Sequence, residues 1–277
     1  MTPELRLTGI PRVPRPRTIA FTSGKGGVGK STLVLNTALI LARRGQRVAL
    51  VDGDLGLASL HLLLGLTPRY DLRDVVAGER TLREIAVAGP YGLQLVPAGS
   101  GVAELASLSA AERAALVDEL RAFAAPLDFL LIDTGAGIGE TVLHLLEASD
   151  EALVVTQPEP TALADAYALI KVMVRSAAAY PCHVLVNLAR HEHHARQTYE
   201  ALAGVLLRFL GYRPGWGGWV VGDPAVAEAV VQQVPFAIRS PRCPAARCLE
   251  RLADALLGTH RSGARPGPGL AREGSHG

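Results

Sequence analysis

The chain alternates short apolar runs with longer segments in which apolar positions recur every three to four residues. Residues 18–22 read as a buried strand and 33–42 as the helix that follows it. Arg43-Arg44-Gly45 then gives a cationic last turn and a glycine stop. Residues 47–52 form a second strand candidate. Short helical pieces are expected at 60–65, 71–76 and 82–85, and a strand at 93–97. Ser109-Ala110-Ala111-Glu112 is a capping box that opens a helix running to about Ala124. Residues 129–132 are continuously apolar, as interior parallel strands are. Further strands are expected at 151–156, at 183–187 and from Trp219 towards Pro224. Thr161 caps a helix through about Ser176, a short helix covers 225–232, and a terminal helix covers 245–257. This alternation predicts an α/β domain over 18–257, with a single doubly wound, mostly parallel sheet flanked by helices. Residues 1–17 carry Pro3, Pro11, Pro14 and Pro16 among arginines and read as a flexible N-terminal arm. Residues 258–277, rich in Gly, Pro and Arg, read as a disordered tail.

A length of 277 residues with 49% hydrophobic content fits one large α/β core. The net charge of +2, from 28 basic and 26 acidic residues, gives no strong nucleic-acid signal and no global pull to anionic membrane. Cys182, Cys243 and Cys248 are too few and too scattered for a disulfide framework. No apolar run is long enough to span a bilayer and no secretory signal is present, so a cytoplasmic protein is the default expectation. His191, His193 and His194 form the one histidine cluster. It lacks the further ligands of a metal site and reads as a polar loop and helix start.

The chemistry gathers between the first strand and the first helix. Gly24, Gly29, Lys30 and Ser31 satisfy the phosphate-loop template, glycine, any four residues, then Gly-Lys-Ser/Thr, in strand–loop–helix context. Glycines let successive backbone N–H groups point inward at an anion, and the helix N-terminus adds partial positive charge. Lys30 is expected to face the β- and γ-phosphates rather than the core, and the Ser31 hydroxyl to hold Mg²⁺. The second strand delivers Asp52-Gly53-Asp54 to the sheet edge where ligands of open parallel sheets bind. There Asp54 orients the attacking water or approaches the metal. Asp133, at the end of the 129–132 run, is a second Mg²⁺ handle acting through water. Gly137 brings a backbone N–H towards the γ-phosphate. Asn187, the polar tip of its strand, has the side chain to read an adenine edge or to cap a loop.

A plain phosphate loop needs no lysine directly after its first glycine, and this one has Lys25. The run Lys-Gly-Gly-Val-Gly-Lys-Ser at 25–31 resembles the deviant phosphate loop of the MinD/ParA/Mrp ATPases. In that class two subunits sandwich two ATP molecules, and this lysine reaches the partner's nucleotide. The resemblance extends over nearly all of 18–257. Asp54-Leu55-Gly56-Leu57-Ala58, Leu63-Leu64-Gly65-Leu66, Thr81-Leu82, Gly89-Pro90-Tyr91-Gly92-Leu93, Pro97 through Leu105, Ile132 through Ile138 and Gln157-Pro158-Glu159-Pro160-Thr161 look like the FlhG/FleN proteins. Those are MinD-like regulators of flagellar number and placement.

The resemblance implies ATP and Mg²⁺ as ligands. It puts Gly24, Lys25, Gly26, Gly27, Val28, Gly29, Lys30, Ser31 and Thr32 around the phosphates. Asn187, Gly222, Asp223 and Pro224 fall at the base, and Ser31, Asp54 and Asp133 around the metal. Catalysis falls to Lys25, Lys30 and Asp54 in slow, dimer-dependent hydrolysis. The implied partners are a second copy of the chain, an FlhF-like GTPase, and flagellar-switch or transcription-regulator proteins. This chain has Ser59 and His61 where family members often carry Asn and Asp. Before Arg17 it has only Glu4-Leu5-Arg6 in place of the family's GTPase-stimulating Asp-Gln-Ala…Leu-Arg element.

Members of this class typically attach to membrane by a C-terminal amphipathic helix. Here Leu249, Leu252, Ala253 and Leu256 share one helical face, and Arg247, Glu250, Arg251 and Asp254 the other. The apolar face is small and the polar face electrically balanced, which favours a helix packed on the domain, with weak membrane contact at most. Other readings of the same motifs are a ParA/MinD-type ATPase that positions DNA, the division site or another cargo, and a nucleotide-binding scaffold without hydrolysis. A small-molecule kinase or amidoligase would need an acceptor pocket besides. An iron–sulfur carrier would need the Cys-x-x-Cys pair this chain lacks.

Overall fold

The computed structural model describes residues 16–54, 59–99, 109–176 and 181–262. Eight strands form one sheet in the order β3-β4-β2-β5-β1-β6-β7-β8. They are β1 (Arg17–Ser23), β2 (Val48–Gly53), β3 (Val87–Ala88), β4 (Gln94–Val96), β5 (Phe129–Ala136), β6 (Glu151–Thr156), β7 (Cys182–Ala189) and β8 (Gly215–Val221). All ladders are parallel except β3 against β4. The helices are α1 (Lys30–Arg43), α2 (Leu60–Leu63), α3 (Leu72–Val76), α4 (Leu82–Ile85), α5 (Ala110–Ala124), α6 (Glu140–Glu147), α7 (Pro160–Arg175), α8 (Glu192–Leu210), α9 (Pro224–Val231), α10 (Phe236–Arg239) and α11 (Pro244–Ser262).

Both faces of the sheet are covered, and the two-residue period of each strand sorts its side chains between them. Ile19, Phe21, Leu50, Leu131 and Leu153 pack on one side against α1 and α11. Ala20, Val154, Val184 and Val186 point the other way into a cluster with Leu169 and Ile170 of α7 and Leu202 of α8. Val51, Leu130 and Ile132 lie on that second side further along the sheet, with Leu72, Leu82 and Phe123. The expected cap at Ser109 is present, whereas α7 starts one residue before the expected Thr161 cap, at Pro160 with Glu159 as its N-cap and no side-chain capping bond. Asp71, Thr81 and Ser109 each close a capping box. His191 caps α8 by accepting from the His194 amide at 3.1 Å, which accounts for part of the histidine cluster as helix-start chemistry.

Several boundaries differ from the expectation. β5 and β7 run longer than expected, and α6 and α8 had no expected range. Three differences bear on packing. β1 begins at Arg17, whose guanidinium pairs with Glu151 and donates to the Leu256 carbonyl at 2.8 Å. β8 begins at Gly215, well before Trp219. Its glycines weaken the strand signal, yet they admit His183 and Leu153 where a Cβ would collide with them. The last helix continues to Ser262, five residues beyond the expected boundary. Residues 1–15 of the expected arm, residues 263–277 of the tail, and the resemblance-bearing stretches 55–58 and 100–105 lie outside the described residues.

α11 is part of the domain. Leu249 and Ala253 are fully buried, with Leu252 and Leu256 almost so, in the core cluster that contains α1. Its acidic face is clasped by the end of α1. Arg43 and Arg44 both pair with Glu250, and Arg44 reaches Asp254 at 2.6 Å. Leu249→Ala is therefore expected to cost about 2–5 kcal/mol in urea unfolding. Glu250→Gln, which weakens half-exposed ion pairs, is expected to cost about 1 kcal/mol or less. Equal effects of the two changes would place the apolar face of α11 outside the core.

Candidate functional site

The strand order β2-β5-β1 brings three C-terminal strand ends side by side. β1 hands the chain into the loop 24–29. β2 and β5 present Asp52 and Asp133, which are register partners across their ladder. Of the chain's three lysines, Lys25, Lys30 and Lys171, two belong to this loop and the start of α1.

The loop's curl is built residue by residue. Gly27 and Gly29 adopt φ of +79° and +85°, the left-handed region that favours glycine. Gly24 lies so close to the Asp165 carbonyl of α7 that a Cβ there would collide with backbone. The Gln157 side-chain amide donates to the Gly27 carbonyl at 3.1 Å, and that of Asn187 to the Val28 carbonyl at 2.7 Å. Consecutive carbonyls are thus pinned by the polar tips of β6 and β7. Gly29, the N-cap of α1, offers no side-chain cap, so the helix N-terminus keeps its amides for an anion.

Lys30 departs from the expectation that it faces ligand rather than core. It is 6% exposed, its ammonium pairs with Asp133 Oδ1, and it lies 3.5 Å from the Ser31 hydroxyl. The reason is electrostatic. Asp133 is completely buried at a strand end, and an ionised carboxylate there needs a cation. Burial still pushes the Asp133 carboxyl above its usual range, with Lys30 and the Ser31 hydroxyl opposing the shift and Asp54 adding to it. Asp52, also buried, is pushed up to about 7, first by burial and then by the neighbouring Asp133. Its oxygens accept from the amides of Asp54 at 3.2 Å and of Ser59 and Leu60 at 3.1 Å, which resists the rise.

Lys30 pairs with Asp133, while Asp52 and Asp54 lie close enough to Asp133 to add negative charge around it. Asp133 Oδ2 is buried with no hydrogen-bond partner. An orphaned carboxylate oxygen, a nearby hydroxyl and excess negative charge fit a hard, oxygen-seeking cation such as Mg²⁺. Among the described residues no three His, Cys, Asp or Glu side chains converge as a dedicated cage. That also suits Mg²⁺, which shares its shell with water and phosphate oxygens. Ser31 and Asp133 meet here through Lys30, and Asp54 is near enough to push the Asp133 carboxyl up.

The remaining expected residues fall as follows. Lys25 is turned onto its own subunit, 3.4 Å from Glu159 Oε2 and 3.3 Å from the Thr161 hydroxyl. The Gly137 amide, expected near a γ-phosphate, donates instead to the Ser23 carbonyl at 2.8 Å, because a φ of +93° folds the chain back over the end of β1. Asn187 has its amide nitrogen on the loop. Gly222 donates to the Ala189 carbonyl at 3.1 Å. Asp223 caps α9 through Ala225 and also accepts from Ala245 at the start of α11, both at 3.0 Å. Pro224 occupies the first turn of α9. Gln157, Glu159 and Thr161 were not among the expected site residues. A polar residue ending an apolar strand at the loop edge is the signal that marks Gln157, as it marked Asn187.

A glycine loop leading into an uncapped helix N-terminus, one buried lysine and aspartates of β2 and β5 at one sheet edge are the arrangement of the phosphate site of a P-loop NTPase. A family model described as ParA, the NUBPL iron-transfer P-loop NTPase, matches residues 15–202, and the chain belongs to the ParA family. The antiactivator FleN of Pseudomonas aeruginosa is 40% identical over 235 residues, 85% of this chain and 84% of the relative. The flagellum site-determining protein YlxH of Helicobacter pylori is 39% identical over 184 residues, 66% of this chain and 62% of the relative. Among solved structures, a chain of the MinC:MinD cell division protein complex of Aquifex aeolicus matches with a TM-score of 0.74 at 28% identity, covering 87% of this chain and 96% of that one.

Two outcomes follow from the electrostatics. Lys30→Met is expected to abolish Mg-ATP binding in calorimetry and to destabilise the fold by about 3–5 kcal/mol, since it strands a buried carboxylate. Adding Asp133→Asn is expected to restore stability but not binding. Normal stability and affinity in the single variant would contradict the pairing. Asp52, with its raised pKa, holds a proton in the folded state that the unfolded chain has released. Its contribution to stability therefore falls as pH rises from about 4 to about 7 and then levels. Urea unfolding between pH 4 and 8 is expected to show this slope, and Asp52→Asn to flatten it.

Proposed function

We propose that this chain is an ATP-hydrolysing molecular switch that pairs with a second copy when ATP is bound and regulates the number or placement of flagella. The observation that carries the reading is the loop itself, with Lys25 just inside its first glycine and Lys30 at its end. The names of the two relatives, an antiactivator and a flagellum site-determining protein, support the cellular role.

In this mechanism the amides of residues 24–32 and the Lys30 ammonium bind the β- and γ-phosphates. Thr32 meets the α-phosphate. Lys30 exchanges Asp133 for phosphate. Ser31 would hold Mg²⁺ directly and Asp133 through water, and the metal would supply neutralisation of phosphate charge. Asp54 orients the attacking water. Lys25 leaves Glu159 and Thr161 for the partner's nucleotide and neutralises charge in trans, as an arginine finger does. Gly137 exchanges Ser23 for the γ-phosphate. Asn187, Gly222, Asp223 and Pro224 surround the base. Hydrolysis releases the pair, so the output is a shift in population and not a product.

The protein partners of this reading are an FlhF-like GTPase, the flagellar switch or a transcription regulator. Its setting is the cytoplasm, with transient contact at the inner membrane. Among the described residues no helix is long and apolar enough to cross a membrane. With the apolar face of α11 in the core, such contact rests on Arg261 and Arg265 and is weak.

Light scattering with Mg-ATP tests the switch. Asp54→Ala is expected to bind ATP, stop hydrolysing it and accumulate as a dimer. Lys25→Ala is expected to bind ATP and stay monomeric. A Lys25→Ala protein that pairs normally would falsify the role in trans. Unchanged flagellar counts in cells lacking the gene would remove the cellular assignment.

A further inference from the structure

Asn36 lies in the second turn of α1, just beyond the phosphate loop, and is 1% exposed. Its side chain uses both ends. Nδ2 donates to the Thr32 carbonyl at 2.8 Å, and Oδ1 accepts from the backbone N–H of Ala237 in α10 at 2.8 Å. One face further along α1, Arg43 donates to the carbonyl of the same Ala237 at 3.0 Å. Both backbone groups of one residue are therefore held by α1 side chains seven positions apart. Besides Asn36 and Thr32, the seam between these elements is lined by apolar residues, Leu35, Leu63, Ala229, Val230, Pro235 and Phe236. In such a setting a polar link fixes geometry, because an unmatched amide there has no water to turn to.

The segment held at Ala237 is the one that starts at Gly222. Asp223 caps α9, and the chain passes through 232–235 directly into α10. The phosphate loop is held separately, by Gln157 and Asn187 from the other side. We infer that Asn36 is a positioning residue that sets the segment from Gly222 through α10 against the phosphate loop, and so governs affinity for the nucleoside half of the ligand and not for its phosphates. This rests on the assignment of Gly222, Asp223 and Pro224 to the base.

The experiment compares two probes by calorimetry on the full chain, Mg-ATP and Mg-tripolyphosphate. Wild type is expected to bind ATP more tightly. Asn36→Ala, which leaves the Ala237 amide without its acceptor, is expected to weaken ATP about tenfold or more while changing tripolyphosphate affinity by less than about threefold. Arg43→Gln, which removes the second hold on Ala237, is expected to act in the same direction more weakly. Glu250→Gln, which breaks the Arg43–Glu250 pair and leaves Ala237 held, is the control and is expected to change neither. The inference is overturned if Asn36→Ala and Arg43→Gln weaken both probes equally, or weaken neither. Should Asn36→Ala fail to fold, Arg43→Gln decides alone. If wild type itself binds ATP no more tightly than tripolyphosphate, the base assignment falls, and the inference with it.

Discussion

A lysine ammonium buried against Asp133 is the constraint around which this site is arranged. The two residues come from elements 103 positions apart and meet because β1 and β5 are neighbours that run the same way. Taking both charges out of water is costly, and their mutual attraction offsets that only with good geometry. Asp52 and Asp54 lie beside them, so the lysine is outnumbered. Burial and mutual repulsion leave Asp52 titrating near neutrality and Asp133 above its normal range. A site with this imbalance is relieved by additional positive charge. Under the proposed function, Lys30 turning to phosphate would leave Asp133 short of a cation, with its Oδ2 already lacking a hydrogen-bond partner, so one carboxylate would couple phosphate and metal binding.

Around that pair the loop is held by its carbonyls. Gln157 and Asn187 each donate to one, which keeps the peptide planes of Gly27 and Val28 oriented with their amides away from β6 and β7. Rigid scaffolding of this sort reduces what a ligand must organise on arrival. Lys25 is held differently. Its partners Glu159 and Thr161 are at the start of α7, and both Lys25 and Glu159 are about half exposed. An exposed ion pair of this kind is weak. The two lysines are therefore unequal in freedom. Lys30 is committed by burial, whereas Lys25 can exchange partners at little cost, which the proposed role in trans would require.

The fold was largely legible in the chain because its signals are local. Short apolar runs, the capping box at Ser109 and the glycine spacing at 24–29 each act over a few residues, though the local signals of α6 and α8 were passed over. What else escaped reading was long-range. Nothing near Lys30 in sequence says that its neighbour in space is Asp133 and that it is buried. Nothing near Gly137 says that its amide meets Ser23. β3 is two residues long and antiparallel, too short to leave a period. β8 opens with glycines because His183 and Leu153 occupy the space of their missing side chains, a constraint set by other strands. The polar tip at Asn187 reads from sequence as an adenine contact or a loop cap; that it holds the Val28 carbonyl depends on how β7 is placed beside β6.

The terminal helix carries the same lesson into function. Its apolar stripe of Leu249, Leu252, Ala253 and Leu256 is too short on large side chains for a strong lipid anchor. The structure uses it as core beneath α1. Undocking it would expose three buried leucines, about 5 kcal/mol or more on transfer scales, and break the clasp of Arg43 and Arg44 as well. A bilayer would have to return all of that before any net attraction began. The helix is instead a mechanical extension of α1. That element starts at the phosphate loop, holds α10 through Asn36 in its second turn, and grips α11 at its far end. α1 is therefore tied by side-chain contacts to both of these C-terminal helices.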